Sequence, residues 1–397
     1  MPHYVDDQGV VRGWGPTAQE ISSLACLFDT VRHIACLHDS SPPATSLPYT
    51  SSNIKFIPVP PSGGPRLLDK FSILRHSWVY LRAILNELPQ AHVVHVRCPA
   101  NISLMAVVLL ALLSGPRFRW AKYAGNWSPQ RGDYEPGSYR FQRWWLSKGL
   151  HRGVVTVNGK WPKQPRHVYS FLNPSLTAEE IAQAKLLSSQ KVLDLPLYLL
   201  FVGAVNDSKG AGRVLQIAKL LHLGGVPFEL HVLGDGEQRP EYEAWSVASG
   251  IGSKVFFHGW LPKHELACFY ARAHFLVFPS SSEGWAKVLS EAMTYGVVPI
   301  ASAVSSIPQI LTETGAGVAL PVHDTAAYVN AITHFVNRPE LWQEASRAGS
   351  EAASAFTYEY YLAAVQRMFQ DAWGIALARR VPTMQFPGQD GEGHHIE

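Results

Sequence analysis

The sequence contains little cysteine, and its cysteines are not arranged to hold a metal or a disulfide framework. Four cysteines are scattered over the 397 residues, and none forms a C-x-x-C pair. This argues against a zinc knuckle or a disulfide-rich scaffold and favours a reduced compartment. The amino terminus, MPHYVDDQGV, lacks a basic region followed by an apolar one, as a secretory signal would have. We therefore expect the protein in the cytoplasm.

The chain also lacks a hydrophobic run long enough to cross a bilayer. Its longest apolar run, residues 102–113, is interrupted only by Ser103 and spans 12 residues, whereas roughly 20 are needed. A buried helix over 101–113 is the prediction. The net charge of +3 argues by itself neither for nor against nucleic acid, and no nucleic-acid partner is predicted.

The remaining composition is that of a globular protein with more than one core. Hydrophobic residues make up 47% of the chain, and its length suits two domains of about 150–200 residues each. Short continuous apolar runs, each followed by a helical stretch, are typical of parallel strands covered on both faces. They are 91–96, 118–124, 153–158, 197–203, 228–234, 254–259, 274–280 and 297–302. The pattern predicts an α/β protein with two Rossmann-like domains and parallel sheets.

Breaks in this rhythm predict the domain boundaries. The first domain is expected over 1–185 and the second over 186–357, followed by a helical segment over 358–376 and a disordered tail over 377–397. The start is unusual, because MPHYV is only a stub before a turn over 12–16 and a helix over 17–28. The first strand is therefore predicted to be missing or poorly formed.

The segment 279–302 contains the pattern most indicative of function. It follows a buried strand, so it lies at the carboxyl end of a parallel sheet, where open α/β folds bind ligands. Gly284 allows a tight turn, and a helix is predicted to begin at Trp285, with its first N–H groups forming an anion site. Glu283 and Glu291 are separated by about 12 Å of helix. Carboxylates accept hydrogen bonds from vicinal hydroxyls, so this spacing suits a nucleotide-diphosphate sugar.

These residues resemble the carboxyl-terminal half of the retaining GT-B glycosyltransferases of group 1, also called family four. The resemblance covers roughly residues 195–320 and includes Glu283-x7-Glu291, Pro279-Ser280, Gly296-x-x-Pro299, Phe201-Val202-Gly203, Lys209-Gly210, Gly234-Asp235-Gly236, Phe257-His258-Gly259 and Leu266-x-x-x-Tyr270. It implies two facing domains with a cleft between them, the first for the acceptor and the second for the donor. The 358–373 helix is then expected to cross back to the first domain.

The resemblance also implies a role for each residue of the site. Glu291 would hold the ribose hydroxyls, Glu283 the transferred sugar, and Lys209 the diphosphate, with Glu283 and Lys209 as the catalytic pair. The full donor-binding set is Gly203, Lys209, Trp260, Leu261, Glu283, Gly284, Trp285, Ala286, Lys287 and Glu291. Candidates for acceptor or phosphate contacts are Gly15, Arg97 and Asn126.

The implied reaction moves a sugar from a UDP- or GDP-type donor to a carbohydrate or lipid-linked acceptor hydroxyl, with retained anomeric configuration, in polysaccharide or glycolipid assembly. No cofactor or metal is expected, because Asp235-Gly236-Glu237 is explained more simply as a turn than as an Asp-x-Asp metal motif. Two departures, Ala204 in place of a frequent arginine and no histidine near Asn126, leave alternatives open. These are a non-catalytic nucleotide-sugar-binding partner of another transferase and a nucleotide-sugar epimerase of the same fold.

A basic, aromatic segment over 117–166 suggests one further partner. It holds eleven lysines and arginines against Asp133 and Glu135, and five of the twelve tryptophans. This combination suits the headgroup layer of an anionic membrane. An ordinary helix over 138–150 with inward-facing aromatics explains the pattern equally well, so peripheral contact with the inner face of a membrane stays an open alternative.

Overall fold

The structure, a computed structural model, describes residues 2–63, 67–130 and 135–379. It contains two compact units, Met1–Glu87 with Ile375–Glu397 and Leu88–Gly374, as far as the described residues extend. The α/β class is confirmed in both units. The predicted division at residue 185 stays a prediction, and from residue 380 onward the predicted tail lies outside the described residues.

A five-stranded mixed sheet makes up most of the first unit. Its strands are β1 (Pro2–Val5), β2 (Val11–Trp14), β3 (Val31–Leu37), β4 (Ser46–Pro48) and β5 (Ile54–Val59), and its helices are α1 (Gly15–Ala25) and α2 (Leu67–Glu87). The strand order is β4-β2-β1-β3-β5. Strands β1, β3 and β5 run parallel, whereas β2 is antiparallel to both β1 and β4.

The first strand is present, so the prediction that it is missing or poorly formed is wrong. Strand β1 occupies the middle of the sheet, and residues 12–14 of the predicted turn belong to β2. The apolar pattern missed β1 because His3 is its buried residue, with its Nε2 2.7 Å from the Tyr49 hydroxyl. Gly13 faces His3, and a β-carbon there would lie 2.7 Å from the imidazole, so glycine leaves the room that His3 needs.

The amino-terminal part of the second unit is a four-stranded parallel sheet. Its strands are β6 (Val93–Cys98), β7 (Phe118–Tyr123), β8 (Val154–Asn158) and β9 (Val168–Phe171), in that order, with helices α3 (Asn101–Leu112) and α4 (Gly137–Ser147). The three predicted strands and the apolar helix are confirmed. The strand β9 was not predicted, because its four residues, VYSF, are too few to form a continuous apolar run and include Ser170.

A six-stranded parallel sheet makes up the rest of the second unit. Its strands are β10 (Leu197–Val202), β11 (Phe228–Leu233), β12 (Val255–Gly259), β13 (Phe275–Phe278), β14 (Val298–Ser302) and β15 (Val318–Leu320), in the order β12-β11-β10-β13-β14-β15. The helices are α5 (Ala178–Ser188), α6 (Ala211–Leu223), α7 (Arg239–Ala248), α8 (Lys263–Arg272), α9 (Lys287–Thr294), α10 (Ile307–Thr314), α11 (Thr325–Asn337), α12 (Pro339–Ala352) and α13 (Tyr358–Trp373). Short 3-10 helices cover Leu88–Gln90, Gly252–Lys254 and Ala353–Phe356.

Burial on both faces of this sheet explains the continuous apolar runs. Leu199 and Phe201 of β10 belong to one core cluster, and Leu200 and Val202 belong to a second cluster on the opposite face. Because successive side chains of a strand point to opposite faces, every position of β10 must be apolar. The loops that carry the candidate site lie at the carboxyl ends of these strands.

The helix α13 packs on the four-stranded sheet rather than on the sheet that precedes it in sequence. Phe369 contacts Trp120 of β7 with a ring separation of 6.3 Å, and Tyr361 contacts Phe171 of β9 at 5.7 Å. The chain therefore returns to the amino-terminal part of the second unit after completing the six-stranded sheet.

A partly buried lysine ties together the helices that carry part of the site. The Lys191 ammonium donates to the carbonyls of Tyr270, Ala273 and Tyr295 at 2.7, 2.9 and 2.7 Å. Burial lowers the pKa of Lys191 to about 7, and three carbonyl acceptors at helix ends favour its charged form. The carboxyl ends of α8 and α9 are thus fixed to the segment that leads into β10.

Candidate functional site

The candidate site begins with the contact between the loop after β13 and the start of α6. Arg213 of α6 donates from Nε to the Pro279 carbonyl at 2.9 Å and from Nη2 to the Ser281 hydroxyl at 2.8 Å. Gly210 has a φ of +86°, and a β-carbon there would lie 2.3 Å from the Pro279 carbonyl. This close approach requires glycine, and it brings Lys209 beside the loop that carries Glu283.

Lys209 and Glu283 form an ion pair across these two segments. The Lys209 ammonium donates to Glu283 Oε1 at 2.5 Å, and the Ser280 hydroxyl donates to the same oxygen at 2.8 Å. The Glu283 side chain is 9% exposed and that of Lys209 is 33% exposed. The two predicted catalytic residues, 74 positions apart in sequence, therefore meet. The Lys209 side chain remains partly accessible, while that of Glu283 is nearly covered.

The helix after Glu283 begins two residues later than predicted. Ala286 is extended, so α9 starts at Lys287, and neither a side-chain cap nor an acidic residue in the first turn occupies its amino terminus. The Trp285 ring is buried and stacks on Phe356 with a centroid separation of 5.1 Å. We attribute the later start of the helix to this packing. The side chains of Trp285 and Ala286 are buried, and the ligand contacts predicted for their N–H groups stay predictions.

Gly284 lies against the carboxyl ends of β7 and β8. A β-carbon on Gly284 would lie 1.9 Å from the Ala124 carbonyl and 3.2 Å from the amide nitrogen of Asn158. The Gly284 carbonyl accepts hydrogen bonds from the hydroxyls of Ser305 at 2.9 Å and Ser306 at 3.1 Å. The loop beside Glu283 is thus clamped from both sides, and only glycine fits there.

Glu291 of α9 is the second carboxylate of the motif. Its Oε2 accepts a hydrogen bond from the Tyr270 hydroxyl at 3.1 Å. Burial raises the pKa of Glu291 above its usual value, while the positive charge of Lys263 and the Tyr270 hydrogen bond oppose that rise. Lys263 is itself held by Glu180 at 2.6 Å and by the Ser175 carbonyl at 2.8 Å.

We expect Glu291→Gln to stabilise the protein near neutral pH while weakening nucleotide binding. A carboxyl whose folded-state pKa is raised costs stability when it is ionised, so stability falls as pH rises through that pKa. Glutamine therefore raises stability at pH 7, where Glu291 would be ionised. Below pH 4 the carboxyl is already protonated, so the substitution should change stability little. The affinity for UDP or GDP should fall by about tenfold or more, because bonds to a charged acceptor are each worth roughly 1.5–3 kcal/mol.

Thermal unfolding at both pH values and titration calorimetry measure these two effects. A matched control is Glu313→Gln, which alters an exposed carboxylate of α10. A variant that binds the nucleotides as tightly as the unaltered protein would contradict the ribose role predicted for Glu291.

The other predicted site residues lie on separate loops. Gly203 follows β10 with a φ of +153°, in contact with the backbone of Gly234. After β12, Trp260 is 50% exposed, and Leu261 is partly buried against the core. The predicted roles of these residues stay predictions.

The acceptor candidates are more dispersed. Arg97 and Asn126 are partly exposed near the carboxyl ends of β6 and β7, and Asn126 accepts a hydrogen bond from the backbone N–H of Ser128 at 3.1 Å. Gly15 begins α1 in the other compact unit, where its α-carbon lies close to the Thr45 carbonyl. The predicted acceptor or phosphate contacts of these three residues stay predictions.

Several residues of the site were not predicted. Ser280 and Tyr270 belong to the motifs noted in the sequence, but nothing local indicated that they hydrogen-bond to Glu283 and Glu291. Asn158 ended a predicted apolar strand and carried no signal at all. Among residues 2–63, 67–130 and 135–379, no group of three or more histidines, cysteines, aspartates or glutamates is arranged to hold a metal ion. Metal independence stays a prediction.

The basic, aromatic segment is more buried than its composition suggested. Trp120 and Trp127 are buried, and so are Arg119 and Lys122. The Arg119 guanidinium caps carbonyls at the end of α3, including that of Leu113 at 2.8 Å. These four residues of the segment are therefore part of the interior rather than of an exposed surface.

An exposed face of α4 is the part of the segment that remains for a partner. Phe141 and Trp144 are 39% and 48% exposed, and the basic residues Arg140 and Lys148 are exposed on the same helix and its end. Arg143 is paired with Glu135 at 2.6 Å. In the part of the chain that the structure describes, no helix is both long and apolar enough to cross a membrane.

Comparison with known families and sequences relates the six-stranded region to sugar-transferring enzymes. Residues 185–352 match the family model described as "Glycosyl transferases group 1". The D-inositol 3-phosphate glycosyltransferase of Streptosporangium roseum is 29% identical over 196 residues, which cover 46% of this chain and 45% of that protein. The alpha-D-kanosaminyltransferase of Streptomyces kanamyceticus is 25% identical over 185 residues, covering 47% of each. The chain spans about half the length of the curated relatives it matches.

Solved structures similar to this chain cover most of its length. The sucrose-phosphate synthase of Thermosynechococcus elongatus superposes with a TM-score of 0.69 and 18% identity, covering 90% of this chain and 92% of the other. WaaG, a glycosyltransferase involved in lipopolysaccharide biosynthesis, superposes with a TM-score of 0.57 and 14% identity, covering 91% and 95%. At these identities the likeness concerns the fold, which is GT-B.

Proposed function

We propose that the protein transfers a sugar from a nucleotide-diphosphate sugar to an acceptor hydroxyl, because residues 185–352 match the family model of the group 1 glycosyltransferases and the chain has the GT-B fold. The observation that carries the proposal is the Lys209–Glu283 ion pair beside the start of α9. An accessible ammonium and an uncapped helix start together form a site for a diphosphate. Glu291, about one turn into the same helix, would accept hydrogen bonds from a ribose.

The reaction breaks the anomeric C–O bond to the diphosphate and forms a bond from the same carbon to the acceptor oxygen. Negative charge grows on the leaving diphosphate, and Lys209 with the N–H groups of 285–287 would meet it. Glu283 would hold hydroxyls of the sugar next to the reacting carbon. Because Glu283 already holds Lys209 in place, the ammonium needs no reorientation when the diphosphate binds.

Retention of configuration and independence from metal are parts of this proposal. The acceptor hydroxyl must lose a proton as its oxygen bonds to the anomeric carbon. We assign that proton to an oxygen of the departing diphosphate, which lies on the same face of the sugar as the entering acceptor. This arrangement retains the anomeric configuration.

The acceptor is proposed to be a carbohydrate or lipid-linked hydroxyl in polysaccharide or glycolipid assembly, at the cytoplasmic face of a membrane. The exposed aromatic and basic face of α4 supports peripheral contact with anionic lipid, because aromatic rings favour the interface and cations favour anionic headgroups. Arg97, Asn126 and Gly15 remain the candidates for acceptor contacts.

The membrane contact predicts salt-sensitive binding to vesicles. The protein should sediment with phosphatidylglycerol vesicles, less with phosphatidylcholine vesicles, and less again in 0.5 M salt, because charge attraction is screened. Phe141→Ser with Trp144→Ser should reduce sedimentation several-fold. Trp245→Ser, on α7 of the six-stranded region, is the control. Sedimentation that is indifferent to salt and to the α4 changes would remove this part of the proposal.

A donor screen tests the transfer itself. Thermal shift with UDP and GDP identifies the base, and product analysis with a panel of the corresponding sugar nucleotides and crude lipid acceptors identifies the reaction. Transfer to an acceptor is the expected result. Tight donor binding without turnover would favour a non-catalytic binding partner, which the departures at Ala204 and near Asn126 motivate. An isomerised sugar nucleotide formed without acceptor would favour an epimerase.

A further inference from the structure

A buried amide without a hydrogen-bond partner stands at the end of β8. Asn158 is 4% exposed, and its Nδ2 has no partner among the residues that the structure describes. A buried donor left unpaired costs roughly 1–3 kcal/mol, so native proteins rarely keep one without a reason. The backbone of Asn158 is hydrogen-bonded by contrast. Its carbonyl accepts a hydrogen bond from the Trp161 indole at 2.8 Å, and its strand pairs with β9.

The unpaired amide lies next to the loop that holds the ion pair. Its Nδ2 would be 3.2 Å from a β-carbon on Gly284, and Gly284 directly follows Glu283. Since side chains alternate along a strand, Asn158 shares a face with Thr156, whose hydroxyl accepts from Trp120. The Trp120 indole N–H is thus paired with Thr156, whereas the amide N–H groups of Asn158 have no described partner.

Other polar groups around this point already have partners. The Gly284 carbonyl accepts from two serines, and Glu283 Oε1 accepts from Lys209 and Ser280. Gly284, which follows Glu283 and has no side chain, is a close neighbour of the buried Asn158 amide. Asn158 Nδ2 is therefore an unpaired donor, among the residues that the structure describes, beside the loop that carries Glu283.

From this arrangement we infer that Asn158 is a further substrate-binding residue, which donates a hydrogen bond from Nδ2 to a hydroxyl of a bound sugar beside Glu283. The inference rests on the proposed function and deepens it. It gives the four-stranded sheet a direct part in holding the sugar, from a strand end that faces the donor loop. The hydroxyl belongs either to the transferred sugar or to a sugar acceptor, and the experiment separates these two sources.

Asn158→Leu removes the amide while keeping a side chain of similar size. It should leave the melting temperature unchanged or raise it, because no hydrogen bond is lost and an unpaired donor is removed. The affinities for UDP and GDP should stay within twofold, because neither nucleotide carries the sugar. The kcat/KM for transfer should fall at least tenfold. A merely structural asparagine would give the reverse, with a lower melting temperature and unchanged kcat/KM, and that result would overturn the inference.

Calorimetry with UDP-glucose and GDP-mannose separates the two sources of the hydroxyl. If the hydroxyl belongs to the transferred sugar, Asn158→Leu weakens whichever donor binds the unaltered protein and spares its nucleoside diphosphate. If it belongs to the acceptor, donor affinity is spared and the acceptor KM rises. Asn337→Leu, at the exposed end of α11, is the matched control. If the unaltered protein is active and Asn158→Leu changes neither donor affinity, acceptor KM nor kcat/KM, the inference alone is contradicted. If the unaltered protein binds neither nucleotide, the proposed function is contradicted.

Discussion

Lys209→Met is expected to lower kcat/KM for sugar transfer by about 10²–10³-fold. The substitution removes the ammonium that meets the diphosphate, and it leaves the Glu283 carboxylate, 9% exposed, without its charged partner. A charge-assisted hydrogen bond is worth roughly 1.5–3 kcal/mol, and an unpaired carboxylate beside the diphosphate adds repulsion. A total of about 3–4 kcal/mol corresponds to the stated loss, since about 1.4 kcal/mol is tenfold.

Steady-state kinetics with the donor identified by the screen measures this effect. Lys185→Met, on the exposed side of α5, should behave as the unaltered protein. The double variant Lys209→Met with Glu283→Gln should be less impaired than the two single losses multiplied together, because each single change leaves the other charge unpaired. Glu283→Ala alone should mainly lower kcat. Full activity of Lys209→Met would show that the diphosphate is held elsewhere.

Gly284→Ala is expected to lower kcat about 100-fold and also to destabilise the protein. The added β-carbon would lie 1.9 Å from the Ala124 carbonyl, which is backbone and has no rotamer to adjust. Relief requires a shift of the loop that carries Glu283, and a displacement of about 1 Å at reacting groups costs about 10²-fold in rate. Overpacking of this kind also typically costs about 1–3 kcal/mol of stability.

The matched control for this change is Gly137→Ala. A β-carbon at Gly137, the first residue of α4, would meet nothing within 4 Å, so stability and kcat should be unaffected. Kinetics and urea unfolding of both variants separate the specific clash from a general intolerance of alanine. An active, stable Gly284→Ala protein would mean that the loop and β7 do not meet as described.

Strands could be predicted from the sequence where their buried side chains are apolar. Every strand of the six-stranded sheet except β15 was predicted, because burial on both faces forces a continuous apolar run, as in β10. None of the five strands of the first unit was predicted, and β1 was missed because His3 occupies its core position and is satisfied by Tyr49. A pattern of apolar residues cannot indicate a strand whose buried side chain is a hydrogen-bonded histidine.

The site shows the same division between local and long-range information. Glu283, Glu291 and Lys209 were identified from motifs, but the pairing of Lys209 with Glu283 depends on a contact 74 residues apart in sequence. The start of α9 was placed too early because the stacking of Trp285 on Phe356 is also a distant contact. Such contacts arise from the arrangement of the loops and have no local signature.

The most direct test of the account is a crystal structure of the protein with UDP and one with GDP. We predict that Lys209 Nζ and the N–H groups of residues 285–287 contact the diphosphate of the bound nucleotide. The Glu291 carboxylate should accept hydrogen bonds from its ribose hydroxyls. A nucleotide bound with its diphosphate away from Lys209 and its ribose away from Glu291 would contradict the account.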